Sequence, residues 1–188
     1  MPDIDSHKTA PVGVFGLGNV LMGDDALGPT AIARLQAGFE FPPDIEVEDL
    51  GTPGLDLHPH LAGREVLILI DVVKAEGEPG EVRLYRRDDI LRHDPGARVG
   101  THDPGVKEAL LALRFAGDDP REILLVGVIP GRIDYEIGLS VPVRKALPAL
   151  EAAVLEELAR LGRAVTPRDP RPPAKIWWDN ERPQGDRP

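Results

Sequence analysis

Two adjacent carboxylates, Asp24 and Asp25, follow a short apolar run and the glycine-rich turn Gly16-Leu17-Gly18-Asn19-Val20-Leu21-Met22-Gly23. A strand that ends in a turn bearing acids places oxygen ligands or proton carriers at the rim of a sheet. Another acid, Asp71, closes the apolar run Val66-Leu67-Ile68-Leu69-Ile70. Histidine adds His58, His60 and His102, with His7 and His93 in polar, solvated surroundings. The chain has no cysteine, which excludes disulfides, thiolate metal sites and thiol nucleophiles. Its two serines are Ser6, in a polar leader, and Ser140, read as the N-cap of a helix. Carboxylates, imidazoles and a metal are the chemistry that remains.

Each group has a plainer role beside the chemical one. Asp24 and Asp25 are also placed to favour the N-terminus of the next helix through its dipole. His58 and His60 are two apart, so on a helix they point in different directions and do not face one metal. His102, in Gly100-Thr101-His102-Asp103-Pro104, precedes an amphipathic helix and reads equally as a loop histidine. A dinucleotide site is disfavoured, because Leu21 stands where the glycine fingerprint needs its third glycine and the acid pair would repel a pyrophosphate.

The elements that must position these groups alternate. Strands are expected at Val12–Leu17, around Ile45–Leu50, at Val66–Ile70, at Val82–Tyr85 nearer an edge, and at Ile123–Ile129. Helices are expected at about Pro29–Gly38, a short one through Leu55–Leu61, one turn at Asp88–Leu91, one carrying Val106, Leu110 and Leu113 that stops at Gly117, and a long one from about Val141 to Leu161. Pro148 should kink or interrupt the last. The alternation predicts a three-layer αβα sandwich with a mostly parallel sheet and helices on both faces. Residues 1–10 read as a flexible leader, 11–165 as one domain, and 166–188 as a proline-punctuated, disordered tail that holds both tryptophans. The net charge of -10 argues against nucleic acid and anionic membranes as partners. With no apolar run of about 20 residues and no signal-peptide segment, a cytoplasmic protein is expected.

Together the blocks resemble the [NiFe]-hydrogenase maturation endopeptidases. Gly16-Leu17-Gly18-Asn19-Val20-Leu21 leading into Asp24-Asp25-Ala26-Leu27-Gly28 is similar to the family's opening motif, and Gly51-Thr52-Pro53-Gly54-Leu55 to its second block. The strand ending at Asp71 is similar to the third. His102, Val106 to Phe115, Gly117, Pro120 and Leu124 to Pro130 resemble the fourth, and Ile137-Gly138-Leu139-Ser140 with the last helix completes the set. The resemblance covers roughly residues 11 to 163.

The resemblance implies a single α/β domain that removes a C-terminal peptide from a hydrogenase large-subunit precursor after nickel insertion. It implies that an acid of the first block, an acid after the second and the histidine of the fourth contact that nickel. These map onto Asp25 and His102, while the middle position, counted from Gly51-Thr52, falls on His60 rather than an acid. The expected metal set is therefore Asp25, His60 and His102, with Asp56 as the substitute for His60 and with Asp25 and His102 catalytic. Asp24 and Asp71 stay outside that set, tuning the site or capping backbone groups. The nickel belongs to the substrate rather than to the protease, which is expected to be a monomer. Two other readings stay open: a peptidase of the same fold with a resident metal, and a non-catalytic binding module.

Overall fold

In the computed structural model, which describes residues 10–93, 95 and 105–179, a five-stranded sheet runs in the order β3-β1-β4-β6-β5. Strands β1 (Val12–Leu17), β3 (Ile45–Gly51), β4 (Val66–Val72) and β6 (Glu122–Val128) are mutually parallel. Strand β5 (Val82–Arg86) closes one edge antiparallel to β6. Strands β1 and β4 are buried along their whole length and β6 over all but its first residue, whereas β5 is half-exposed. That division follows their sequences, since strands covered on both faces need unbroken apolar runs and an edge strand does not.

Side-chain alternation divides the core into two halves. Val12, Val14, Ile68, Ile70, Leu124 and Val126 pack beneath α1 (Leu27–Gly38) and α5 (Val141–Arg160). Phe15, Leu67, Leu69, Ile123 and Leu125 pack beneath α2 (Leu57–Leu61), α3 (Arg87–His93) and α4 (Val106–Ala116). This is the three-layer αβα arrangement that the alternation predicts. Helix α4 ends at Gly117 in the left-handed region, as expected for a glycine C-cap.

Three expectations are corrected. Helix α5 runs unbroken through Pro148. Arg87–His93 forms a full helix rather than one turn. The tail expected to be irregular from Thr166 is laid on the domain as far as Asp179: β7 (Thr166–Pro167) pairs antiparallel with β2 (Phe39–Glu40), and a 3-10 turn spans Trp177–Asp179. Proline need not exclude order, because arginines inside this tail supply the contacts that its backbone does not make. Arg168 donates to the Phe39 carbonyl and pairs with Glu40. Arg171 donates to the Arg34 carbonyl and to Glu151, and lies over the Phe39 ring. Residues 180–188 and the leader before residue 10 lie outside the described residues. Among the described residues, no helix is long and apolar enough to cross a membrane.

Candidate active site

The site is built where β1 and β4 end. Gly18 has φ +131°, and a Cβ there would overlap the carbonyl oxygen of Asp25, so the turn can fold back on itself only with glycine. Gly28 provides the second close approach. A Cβ on it would overlap the Leu17 backbone and come within 2.9 Å of the Ile70 carbonyl. The start of α1 thus settles directly onto the ends of β1 and β4. The acids precede it in a 3-10 turn, Gly23–Ala26, and neither acts as a side-chain cap of α1.

The two neighbouring acids do different work. Asp24 is fully buried, and its carboxylate accepts four hydrogen bonds from one loop. Oδ2 takes the amides of Gly131 (2.7 Å) and Arg132 (3.0 Å) and the Ser140 hydroxyl (2.9 Å), while Oδ1 takes the Ser140 amide (2.6 Å). Gly23 N–H bonds the Glu136 carbonyl and Asp24 N–H the Arg132 carbonyl, so residues 131–140 are stitched to the acid turn. Asp24 is the stitch. Ser140 does occupy the N-cap position of α5, but its hydroxyl goes to Asp24 and makes no cap bond. The sequence signal for this pairing, a lone serine after Gly138-Leu139, is too common to have revealed it.

Asp25 is also buried, and its Oδ2 accepts the Asn19 amide at 2.7 Å. Asn19 in turn accepts the Leu21 amide on its side-chain oxygen, which fixes the turn. Asp71 lies buried at the end of β4, with its Oδ1 on the Val72 amide at 2.8 Å. Burial pushes the Asp71 carboxyl well above the ordinary value, and the charge of nearby Asp25 pushes it further. Asp71 therefore holds its proton to higher pH than an ordinary aspartate. Two buried carboxyls close enough for the charge of one to raise the pKa of the other suit the exchange of protons.

His60 is not brought to this pair. Its carbonyl accepts Arg64 Nε at 2.7 Å, and the same guanidinium reaches the Ala10 carbonyl (3.0 Å) and Glu46 (2.8 Å). Ala10 and Glu46 lie at the starts of β1 and β3, so the end of α2 stands at the amino edge of the sheet. Strand β4 from Val66 to Asp71 separates the two edges, roughly 16 Å at the usual strand rise. The spacing from Gly51-Thr52 misleads because α2 descends across the sheet before β4 begins, carrying each successive residue away from the carboxyl edge. Asp56, in the 3-10 turn before α2, is exposed.

His102 lies outside the described residues. The described chain on either side of it stands at the carboxyl edge. The Pro95 carbonyl accepts the Lys74 amide just beyond β4. Asp118, at the far end of α4, bonds Gly63 just before β4, which leaves the first turn of α4 at Val106 toward the opposite edge. Among the described residues, no group of three or more histidines and acids is arranged to hold a metal.

Comparison with known proteins agrees with the fold. The family model described as hydrogenase maturation protease matches residues 29–157. The chain is 34% identical over 158 residues to the hydrogenase 2 maturation protease of Escherichia coli (strain K12), covering 83% of this chain and 95% of that one. It is 35% identical over 164 residues to the hydrogenase expression/formation protein HoxM of Azotobacter vinelandii, covering 86% and 79%. The structure of the hydrogenase maturating endopeptidase HybD from E. coli superposes with a TM-score of 0.78 at 31% identity, over 85% of this chain and 98% of that chain. With a family model spanning over half its length and relatives above 30% identity across most of theirs, the chain belongs to the hydrogenase maturation protease family.

Proposed function

We propose that this protease removes the C-terminal propeptide of a [NiFe]-hydrogenase large-subunit precursor after nickel insertion, and that the substrate's nickel is what it recognises. Asp25 and Asp71 are the acids that meet the substrate, in place of the expected pairing of Asp25 with His60, and His102 is the third contact. The observation that carries this reading is the burial of Asp25 and Asp71 together at the carboxyl edge, close enough for one charge to act on the other. Two carboxyls that disfavour joint ionisation gain most when a cation arrives, because the cation removes their mutual repulsion. A precursor still lacking nickel offers no such gain, so the site discriminates by charge without a separate sensor.

For the cleavage step, Asp25 takes a proton from the attacking water and returns it to the departing amine, while Asp71, which gives up its own proton as the nickel binds, offsets the metal's charge. The deciding experiment is cleavage of a purified large-subunit precursor with and without nickel, by the wild type and by Asp25→Ala, Asp71→Ala and His102→Ala. Cutting only of the nickel-loaded precursor, lost in all three variants, is expected. Equal cutting of the nickel-free precursor would remove nickel from the recognition step and leave the acid pair as a plain aspartic-type device.

A further inference from the structure

The C-terminal segment follows a regular path. The Arg168 amide bonds the carbonyl of Gly38, Arg171 bonds the carbonyl of Arg34, and Trp178 packs in a crevice with Thr30. Gly38, Arg34 and Thr30 are successive turns of α1, four residues apart, read from its C-terminus to its N-terminus. On the other side the segment meets Glu151 and then Arg144, two turns apart on α5. Gly38 makes room for the first step, since a Cβ on it would stand 2.8 Å from the Arg171 guanidinium. The segment is a strap lying between the two helices and heading for the edge that holds the acids.

Near its far end one large side chain is buried. Trp178 is only 6% exposed, while its neighbour Trp177 is 61% exposed and meets it edge-on with ring centroids 5.6 Å apart. The crevice that Trp178 shares with Thr30 also includes Gly138 and Leu139. Leu139 is buried, and the next residue is Ser140, which gives both its amide and its hydroxyl to Asp24. The indole thus lines one small crevice with the end of the loop that is stitched to the acid turn.

We propose that Trp178 is a positioning residue for precursor cleavage: the strap of residues 168–179 presses Trp178 against Gly138 and Leu139, which holds Ser140 on Asp24 and so fixes the turn that presents Asp25. This rests on the reading that Asp25 meets the substrate. Displacement of about 1 Å at a reacting group can cost two orders of magnitude in rate, so support at this distance matters. Thr30 lies in the first turn of the helix directly behind the acid turn, so the strap, that helix and the 131–140 loop come together at one crevice.

The test uses the full chain with Trp178→Ala, Trp178→Phe and, as a control for core destabilisation on the opposite face, Leu113→Val. Hydrogen exchange is followed at the amides of Gly131, Arg132 and Ser140, all of which donate to Asp24. Trp178→Ala is expected to speed exchange there by about tenfold while leaving β4 amides unchanged, with Trp178→Phe within about twofold of wild type. On nickel-loaded precursor, Trp178→Ala is expected to lower kcat by about tenfold with KM within about twofold, and Trp178→Phe to restore most of it. Leu113→Val should alter neither readout below its melting temperature. Wild-type exchange at the three amides, or wild-type kcat, in folded Trp178→Ala overturns the proposal. If Trp178→Ala does not fold, Trp178→Leu is read by the same criteria. Should Asp25→Ala cut normally, the site reading falls separately, and the strap is then judged on the exchange and kcat of the Trp178 variants.

Discussion

The two edges of the sheet bury charge in opposite ways. At the amino edge Arg64 is buried with all of its partners around it: the carbonyls of His60 and Ala10, the carboxylate of Glu46, and the Phe15 ring 4.7 Å from the guanidinium carbon. At the carboxyl edge Asp71 is buried beside Asp25, an acid against an acid. A buried charge surrounded by complementary groups holds elements together, whereas like charges forced together store a demand for a proton or a cation. One edge is joinery, and the other is where we propose the chemistry. Asp24 shows that the division is finer than sequence position, because it sits next to Asp25 yet belongs with Arg64 as a structural group, with four bonds to one loop.

Loss of the acids at the carboxyl edge should have the largest effect. Asp25→Ala or Asp71→Ala should lower cleavage of nickel-loaded precursor by roughly 10²–10⁴-fold while the circular dichroism stays native, as for other groups acting directly at a reacting centre. Retained activity in either would end the functional reading of that carboxyl.

Removing Asp24 should instead appear first in stability. Asp24→Ala leaves the amides of Gly131, Arg132 and Ser140 without their buried acceptor, a loss of about 2–4 kcal/mol by denaturant unfolding. Arg64→Ala should cost somewhat less, about 2–3 kcal/mol, and should leave kcat of the folded protein unchanged. If Arg64→Ala lowers kcat at full folding, the separation between the edges is wrong.

A smaller effect should appear in the pH dependence of stability. Asp71 has a folded pKa raised above its unfolded value near 3.8, so it favours the folded state most at low pH. That contribution declines as pH rises above the unfolded value and is lost once pH passes the folded pKa. Asp71→Asn, neutral throughout, should flatten this decline and melt higher than wild type at neutral pH. A parallel pair of melting curves from pH 4 to 8 would show that neither burial nor Asp25 raises the Asp71 pKa in the folded protein. The smallest effect is predicted for His60→Ala. With its carbonyl tied to Arg64 at the amino edge, it should change cleavage by less than about twofold.

Much of the fold was legible because its signals are local. Unbroken apolar runs marked β1, β4 and β6, the half-polar run Val82–Tyr85 marked an edge strand, and Gly117 marked the end of α4. The candidate site was legible only in part. Asp25 was singled out by the glycine turn before it, and Asp71 was seen as the acid closing a central strand. Nothing local said that they meet. His60 was preferred by counting along the chain, and the count failed because α2 carries its residues to the other edge.

Local signals along the chain set the alternation of strands and helices, the layered architecture and the strand-end acids. Hydrophobic period, glycine conformation and caps act within a few residues, and they are written in order along the chain. Tertiary structure decided which acid faces which, that Asp24 binds Ser140 more than a hundred residues away, and that a proline-rich tail is drawn into the groove between α1 and α5. Those outcomes depend on how closely α1 settles at Gly28 and on side chains that meet only after the sheet has formed, and no periodicity along the chain carries that information.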